Sequence, residues 1–246
     1  MFTEVFCSWF VFLCFVYFLS IVLSSRFVTL FNTFALDEKH KWNCRIIDFF
    51  NGLVNSGFGF WATFIDSELR VDVVHSTNWG SVVAVEIAFA FFTFELIMDL
   101  VANVFLGKKN KMVTLHHILA TLSYALFSFY GKLHYFAARA LLLDMVLPPQ
   151  SVISILQKLG MKGDRRCKIS AYVLAFCYHS RSLFEWYALS VMFDNYEHVF
   201  NEGPAVLVWI TLTLIGLATL IMTPYWTAGA WRLILEGNCV SDKMYM

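Results

Sequence analysis

Seven long apolar runs dominate the chain, at about 7–24, 46–65, 80–106, 113–130, 135–156, 169–193 and 205–231. Each is near the roughly 20 residues that an α-helix needs to cross a bilayer. The runs at 46–65 and 135–156 also carry polar residues. The first run begins MFTEV, without a basic start, and no convincing small-residue cleavage site follows its long apolar core. It is expected to be retained as a helix rather than removed as a signal peptide. The pattern predicts an all-α multi-pass membrane protein with about seven transmembrane helices.

Composition agrees. The 246 residues are 59% apolar, 18% aromatic and only 15% charged, against about 45–50% apolar and about 25% charged in a soluble domain. Net charge is zero, which gives no reason to expect a nucleic-acid partner. Gly and Pro are sparse, and neither low-complexity segments nor internal repeats are visible.

The cationic residues set an orientation. The odd loops and the C-terminal tail carry fourteen of them: Arg26, Lys39, Lys41 and Arg45; Lys108, Lys109 and Lys111; Lys158, Lys162, Arg165, Arg166 and Lys168; Arg232 and Lys243. The even loops carry two, Arg70 and Lys132. Lys and Arg favour the cytoplasmic side, so the N-terminus is expected in the lumen and the C-terminus in the cytosol. The luminal loops 66–78 and 194–203 are acidic, with Asp66, Glu68, Asp72, Asp194, Glu197 and Glu202. Cys44, Cys167 and Cys239 then face the cytosol, and no disulfide is expected. No Asn-x-Ser/Thr sequon is present.

Ionisable groups inside the apolar runs are costly, at least about 2.5 kcal/mol for a central Asp or Arg. Span three carries Glu86, Glu95 and Asp99; span four His116, His117 and Thr121; span five Arg139 and Asp144; span six His179, Arg181 and Glu185. Arg181 and Glu185 are four apart and can neutralise each other on one helix face. Adjacent imidazoles point about 100° apart on a helix, so His116 and His117 can serve two partners, or one a ligand and the other an orienter. The His117–Thr121 face is expected to line a cavity. Asp99 lies about eight residues before the GKKNK turn and His116 about five after it, which puts them within ~5 Å of one depth. The bland alternative is polar glue between helices. The His-His spacing is not a metal signature, and no metal is expected.

The segments WNCR (42–45), FELIMDL (94–100), LHH (115–117) and LLLDMVLPP (141–149), with an Arg in the next span, resemble the TLC-domain family, which includes ceramide synthases and several lipid-homeostasis proteins. The resemblance covers roughly residues 40–232. It divides the chain into an N-terminal helix and cytosolic loop (1–39), a TLC domain (40–232) and a cytosolic tail (233–246). It implies six helices in a barrel around a lipid-accessible cavity, in the endoplasmic reticulum membrane, with cycling to the ER–Golgi intermediate compartment. Departures are visible: Asp144 stands alone where ceramide synthases carry more acidic residues, some members have Glu there, and many have His where this chain has Asn51. The tail ends SDKMYM, without a dilysine signal.

Two functions follow from the resemblance. The first is acyl transfer to a lipid alcohol such as a phosphoglycerol lipid, without a bound cofactor and with acyl-CoA or an acyl lipid as donor. His116, His117, Asp144 and Asp99 would be catalytic, and Arg139, Arg181, Thr121 and His179 would bind substrate. The second is non-enzymatic: a cargo receptor that binds lysosomal enzymes on the luminal side and vesicle coat through the tail, or a lipid sensor. Membrane lipids are the expected partners in either case.

Overall fold

Apolar runs that must satisfy every backbone N–H and C=O within a bilayer have to become helices, and among the described residues no strand occurs. A computed structural model describes residues 2–107 and 111–235. Its α-helices are α1 (Phe2–Phe27), α2 (Thr29–Thr33), α3 (Leu36–Phe60), α4 (Trp79–Phe105), α5 (Lys111–Tyr130), α6 (His134–Ala140), α7 (Leu147–Lys158), α8 (Arg165–Asp194), α9 (Tyr196–Glu202), α10 (Ala205–Leu217) and α11 (Thr223–Leu235). Lys108, Lys109 and the tail from 236 onward, with Cys239, lie outside the described residues.

The protein is an all-α multi-pass membrane protein. Among the described residues, five stretches are long and apolar enough to cross a membrane: Thr3–Phe27, Trp79–Phe105, Met112–Tyr130, His134–Lys158 and Ala205–Leu235. The two other expected spans coincide with α3 and α8, which are 25 and 30 residues long. They fall outside the set because of polar residues that are buried inside the bundle, among them Asn43, Asp48, Asn51 and Asn55 on α3 and Arg181 and Glu185 on α8. The expected count of seven rests on these two helices.

Three breaks shape the bundle. A π turn over Trp61–Ile65 ends α3. A 3-10 stretch over Leu141–Val146 joins α6 to α7 ahead of Pro148 and Pro149. A second π turn over Ala218–Met222 precedes Pro224. Proline lacks an N–H and crowds the carbonyl four residues back, so regular α-helix cannot run unchanged through the second and third of these points. α4 starts on a capping box, in which Asn78 accepts from the Ser81 N–H and the Ser81 hydroxyl accepts from the Asn78 N–H.

Two glycines let α3 approach the 141–148 segment. A Cβ at Gly59 would lie 2.1 Å from the Leu142 nitrogen, and one at Gly52 would lie 2.7 Å from the Leu147 Cβ. Small residues at such crossings allow backbones to meet closely in membranes. α1 packs outside this core, through Phe6 on Phe89 and Phe10 on Phe94 of α4, and through Trp9 Nε1, which donates to Asn51 of α3 at 3.0 Å.

The ends group as the charge pattern requires. On one side, Lys158 at the end of α7 pairs with Glu38 at the start of α3. On the other, the Leu133 N–H donates to the Val74 carbonyl at 2.8 Å, and Lys132 donates to the Glu202 carbonyl at 2.8 Å. That second side brings together the loop 66–78, the turn between α5 and α6, and α9.

Candidate functional site

The close approach at Gly52 and Gly59 fixes the first contact of the site. Asn55 lies between the two glycines and donates through Nδ2 to Asp144 Oδ2 at 2.7 Å. Asp144 sits in the 3-10 stretch, just before Pro148, and is thereby held from α3 rather than from its own helix. Sequence reading found Asp144 but missed Asn55, which looks like one more polar residue of α3 until the glycines beside it are seen to bring the 141–148 segment into contact.

Asp144 lines an internal cavity with about 910 Å³ of space between its walls, open mouth included. Its lining comes from all six expected spans after the first, for example Thr63, Phe92, His116, Asp144, Arg181 and Ile215, and none of the described residues of α1 contributes. The cavity is thus enclosed by segments from each of these six stretches. Phe92, Phe136, Leu143, Phe184, Leu214 and Ile215 make much of the wall apolar, suited to an acyl chain. The ionisable groups on it are His116, Arg139, Asp144, Arg181 and Glu185, with the phenols of Tyr124, Tyr135 and Tyr187.

The paired histidines diverge. The cavity face of α5 is His116, Ala120 and Tyr124, spaced by four and hence stacked on one side of the helix. His116 stands edge-on to Phe92 and to Trp226, and its Nδ1 is buried without a hydrogen-bond partner. His117 turns away and pairs through Nδ1 with Asp99 Oδ2 of α4 at 2.7 Å. The rings stay near each other, with centroids 5.5 Å apart. The expectation that His117 and Thr121 line the cavity is therefore corrected: α5 rotates His116 toward the space and His117 toward α4. Thr121 has a buried hydroxyl with no partner but is not a lining residue.

The arginines differ in role. Arg181 Nε donates to Glu185 Oε1 at 2.8 Å and to Thr223 Oγ1 at 3.0 Å, and the Thr223 hydroxyl donates to the same Glu185 oxygen at 2.8 Å. Its guanidinium lies over Trp226, 5.3 Å from the ring centroid. The neutralisation expected from the four-residue spacing is present, with Thr223 as an unforeseen third member. Arg139 stacks on Tyr135 at 3.7 Å and donates through Nε to the Ala62 carbonyl at 3.2 Å, while its Nη2 is buried without a partner. His179 is exposed and accepts from Trp231 Nε1 at 2.9 Å, outside the cavity. The structure thus brings together His116, Asp144, Arg139 and Arg181, and leaves His117, Asp99, Thr121 and His179 off the cavity wall.

Four lining residues carry buried polar atoms with no partner: Thr63 Oγ1, His116 Nδ1, Arg139 Nη2 and Glu185 Oε2. Buried polar atoms are nearly always satisfied, so this concentration marks a place where a polar ligand group belongs. Behind His117 lies a second polar layer that sequence reading did not assemble. Arg45 pairs with buried Asp48 at 2.6 Å, and Glu95 is buried on the α4 turn before Asp99. Asp48 gave no early signal because it sits at the edge of an apolar run, three residues after Arg45, and reads as an interfacial charge.

The sequence profile of the TLC domain matches residues 41–232. The chain belongs to the TLC-domain family. Among its relatives are Protein CLN8 of Homo sapiens, 27% identical over 213 residues, and Protein CLN8 of Canis lupus familiaris, 25% identical over 206 residues; each match covers 83% of this chain and 72% of the relative. Protein CLN8 of Mus musculus is 27% identical over 209 residues. No solved structure matches. In this TLC-domain protein the matched region contains every residue of the cavity wall.

Proposed function

We propose that the chain is a lipid acyltransferase or transacylase of the TLC family, with His116 as general base and a lipid alcohol, such as a phosphoglycerol lipid, as acceptor. The observation that carries this reading is His116 Nδ1, buried and unpaired on the wall of a largely apolar cavity. The apolar wall takes the acyl chain. Arg139, with Nη2 unengaged, takes a headgroup phosphate or the negative charge that develops at the acyl carbonyl. The acceptor hydroxyl attacks the acyl carbonyl carbon and its proton passes to His116. The bond from that carbon to the leaving oxygen or sulfur breaks, and His116 returns the proton to the leaving group. General-base help of this kind contributes about 10²–10⁴-fold.

Asp144 supplies negative charge on the same wall and favours the imidazolium that forms. His117 and Asp99 act one step back, as a positioning pair that holds the α4–α5 contact and the orientation of the helix carrying His116. Residence in the endoplasmic reticulum belongs to the same proposal.

The test uses purified full-length protein in lipid nanodiscs. It is given a lysophospholipid with a phosphoglycerol headgroup and either labelled acyl-CoA or a labelled phospholipid. Labelled diacyl product from wild type, lost in His116→Gln at equal folding, is the expected result. A folded wild type that transfers from neither donor class overturns the reading and leaves cargo export or lipid sensing.

A further inference from the structure

On the side opposite the basic loops, three residues from two distant segments converge. Asp72 lies in the loop between α3 and α4, His75 three residues on, and His198 on α9, 126 residues from Asp72. His75 Nδ1 is 3.1 Å from Asp72 Oδ2, and His198 Nε2 is 2.9 Å from Asp72 Oδ1. The imidazole centroids are 5.7 Å apart. One donor atom from each residue fits within 4.8 Å of the others.

The carboxylate is fixed before any ligand arrives. Asp72 Oδ1 accepts from the Val74 N–H at 2.8 Å and from the His75 N–H at 3.0 Å, and the Asp72 N–H donates to the Ser76 hydroxyl at 3.0 Å. Val74 in turn is fully buried and bonded to Leu133, so the turn that presents Asp72 and His75 is anchored in the core. The two imidazoles are only partly covered by contrast, 42% and 41% exposed. A rigid carboxylate flanked by two adjustable imidazoles is not needed for packing, since neither ring fills a core.

We propose that Asp72, His75 and His198 form a zinc site on this face, with a fourth position open to water. The donor chemistry is two imidazole nitrogens and one carboxylate oxygen, which suits Zn²⁺ at about 2.0–2.2 Å. Tetrahedral geometry at that length sets the donors about 3.3 Å apart, so the present cluster closes by side-chain rotation of the two exposed rings. Imidazole donors disfavour Ca²⁺ and Mg²⁺, which prefer all-oxygen shells. On binding, His75 uses Nδ1 and His198 uses Nε2; in the metal-free cluster these nitrogens donate to the Asp72 carboxylate, so each neutral ring shifts its proton to the other, solvent-facing nitrogen before it ligates. The ion would staple the loop 66–78 to α9, and through them the ends of α3 and α4 to those of α8 and α10, helices that wall the cavity. Sequence reading had no access to this cluster, because an Asp-x-x-His and a lone His far downstream match no metal spacing.

The test uses the full-length protein in detergent, stripped with chelator and dialysed against zinc, with bound metal measured by mass spectrometry and unfolding followed by thermal scan. Wild type should hold one zinc per chain and gain thermal stability from it. His198→Ala and His75→Gln should lose that zinc, with affinity falling by more than the roughly 10–100-fold that losing a ligand's supporting partner costs. His179→Ala, an exposed histidine outside the cluster, should keep it. Chain-stoichiometric Co²⁺ should give the visible bands of a tetrahedral site in wild type alone of the first three. If His198→Ala does not yield folded protein, His75→Gln decides, because its side chain is 42% exposed and fills no core. A wild type that binds no zinc, or cluster variants that keep it, overturns the proposal and leaves a hydrogen-bonded clasp.

Discussion

His117 Nδ1 lies 2.7 Å from Asp99 Oδ2, across the α4–α5 hairpin. The partner beside it in sequence, His116, has no such bond at Nδ1 and stands on the cavity wall. Two identical side chains at consecutive positions thus meet different chemistry, because a helix turns about 100° per residue. If the His117–Asp99 pair positions α5, then His117→Gln and Asp99→Asn should each lower turnover by about tenfold to a hundredfold, the range of a lost hydrogen bond to a charged group. The double variant should be no worse than either single one, since both remove the same contact. KM should change little. Additive losses in kcat would show that the two residues act separately.

Gly59 tests the crossing that holds Asp144 in place. A Cβ there would lie 2.1 Å from the Leu142 nitrogen and 2.5 Å from its Cα, both backbone atoms that cannot swing aside. Gly57, two residues earlier, meets nothing within 4 Å. Gly59→Ala should destabilise the protein by about 1–3 kcal/mol or more through overpacking. Gly57→Ala should be neutral or slightly stabilising, as Ala is the better helix former. Equal thermal midpoints for the two variants would contradict the close approach.

Much of this fold was readable because bilayer physics is restrictive. Each expected span coincides with helix, since a long apolar run has few alternatives to helix, and Asp99 with the paired histidines was placed at one depth by counting residues from the turn. What escaped reading depends on rotation and on contacts between distant segments. Which histidine faces the cavity turns on the roll of α5, and α5 carries no strongly sided pattern to set it. Asn55 reaches Asp144 only because Gly52 and Gly59 flank it. Thr223 joins Arg181 and Glu185 only because a π turn shifts the register ahead of Pro224. His198 meets Asp72 across 126 residues of sequence. Periodicity in one segment records none of these.

The orientation of the bundle is open to direct measurement. The sequence assigns fourteen cationic residues to the loops and tail expected on one side and two to the other, and the described ends group through Lys158 with Glu38 and Lys132 with Glu202. A tag after Met246 should be reached by antibody when only the plasma membrane is permeabilised, whereas a tag before Met1 should be reached only after full permeabilisation. The opposite pattern would invert the face assigned to Asp72 and His198.

Asp72 gives a pH prediction with a definite sign. Partial burial raises its carboxyl, but hydrogen bonds from His198, from the His75 and Val74 N–H groups and from the His75 ring outweigh this and hold it below the ordinary value of 3.8. A carboxyl depressed in the folded state stabilises above its unfolded value and loses that contribution as pH falls through the folded one. In chelator-treated protein, the stability difference between wild type and Asp72→Asn should therefore not shrink between about pH 7 and about pH 5, and should fall only below the ordinary carboxylate range. Thermal midpoints of both proteins across that range decide it. A difference that vanishes by about pH 5 would mean that Asp72 is not held as the contacts imply.

The catalytic assignment rests on His116, because the rotation of α5 puts it, rather than the expected His117, on the cavity wall. Gln can hydrogen-bond as a histidine does, but its amide does not take up a proton near neutral pH. His116→Gln should therefore leave folding and membrane insertion intact while lowering acyl transfer by about 10²–10⁴-fold, the usual contribution of a general base. His117→Gln should lose less, since its ring is engaged with Asp99 and off the cavity wall. Asp144→Asn keeps the shape and can still accept from Asn55 Nδ2, yet removes a negative charge from the cavity wall that carries the imidazolium. It should lower kcat without changing thermal stability much, and Asp144→Glu should recover part of the loss because the carboxylate is restored. If chemistry runs through His116, the two substitutions should also be less than additive, because the carboxylate has no imidazolium to stabilise once the base is gone. Transfer assays on matched nanodisc preparations of the four single variants and of the His116→Gln, Asp144→Asn double variant measure this. Full activity in His116→Gln at normal folding would remove the general base from the mechanism and with it the acyltransferase reading, whatever the fate of the zinc site on the opposite face.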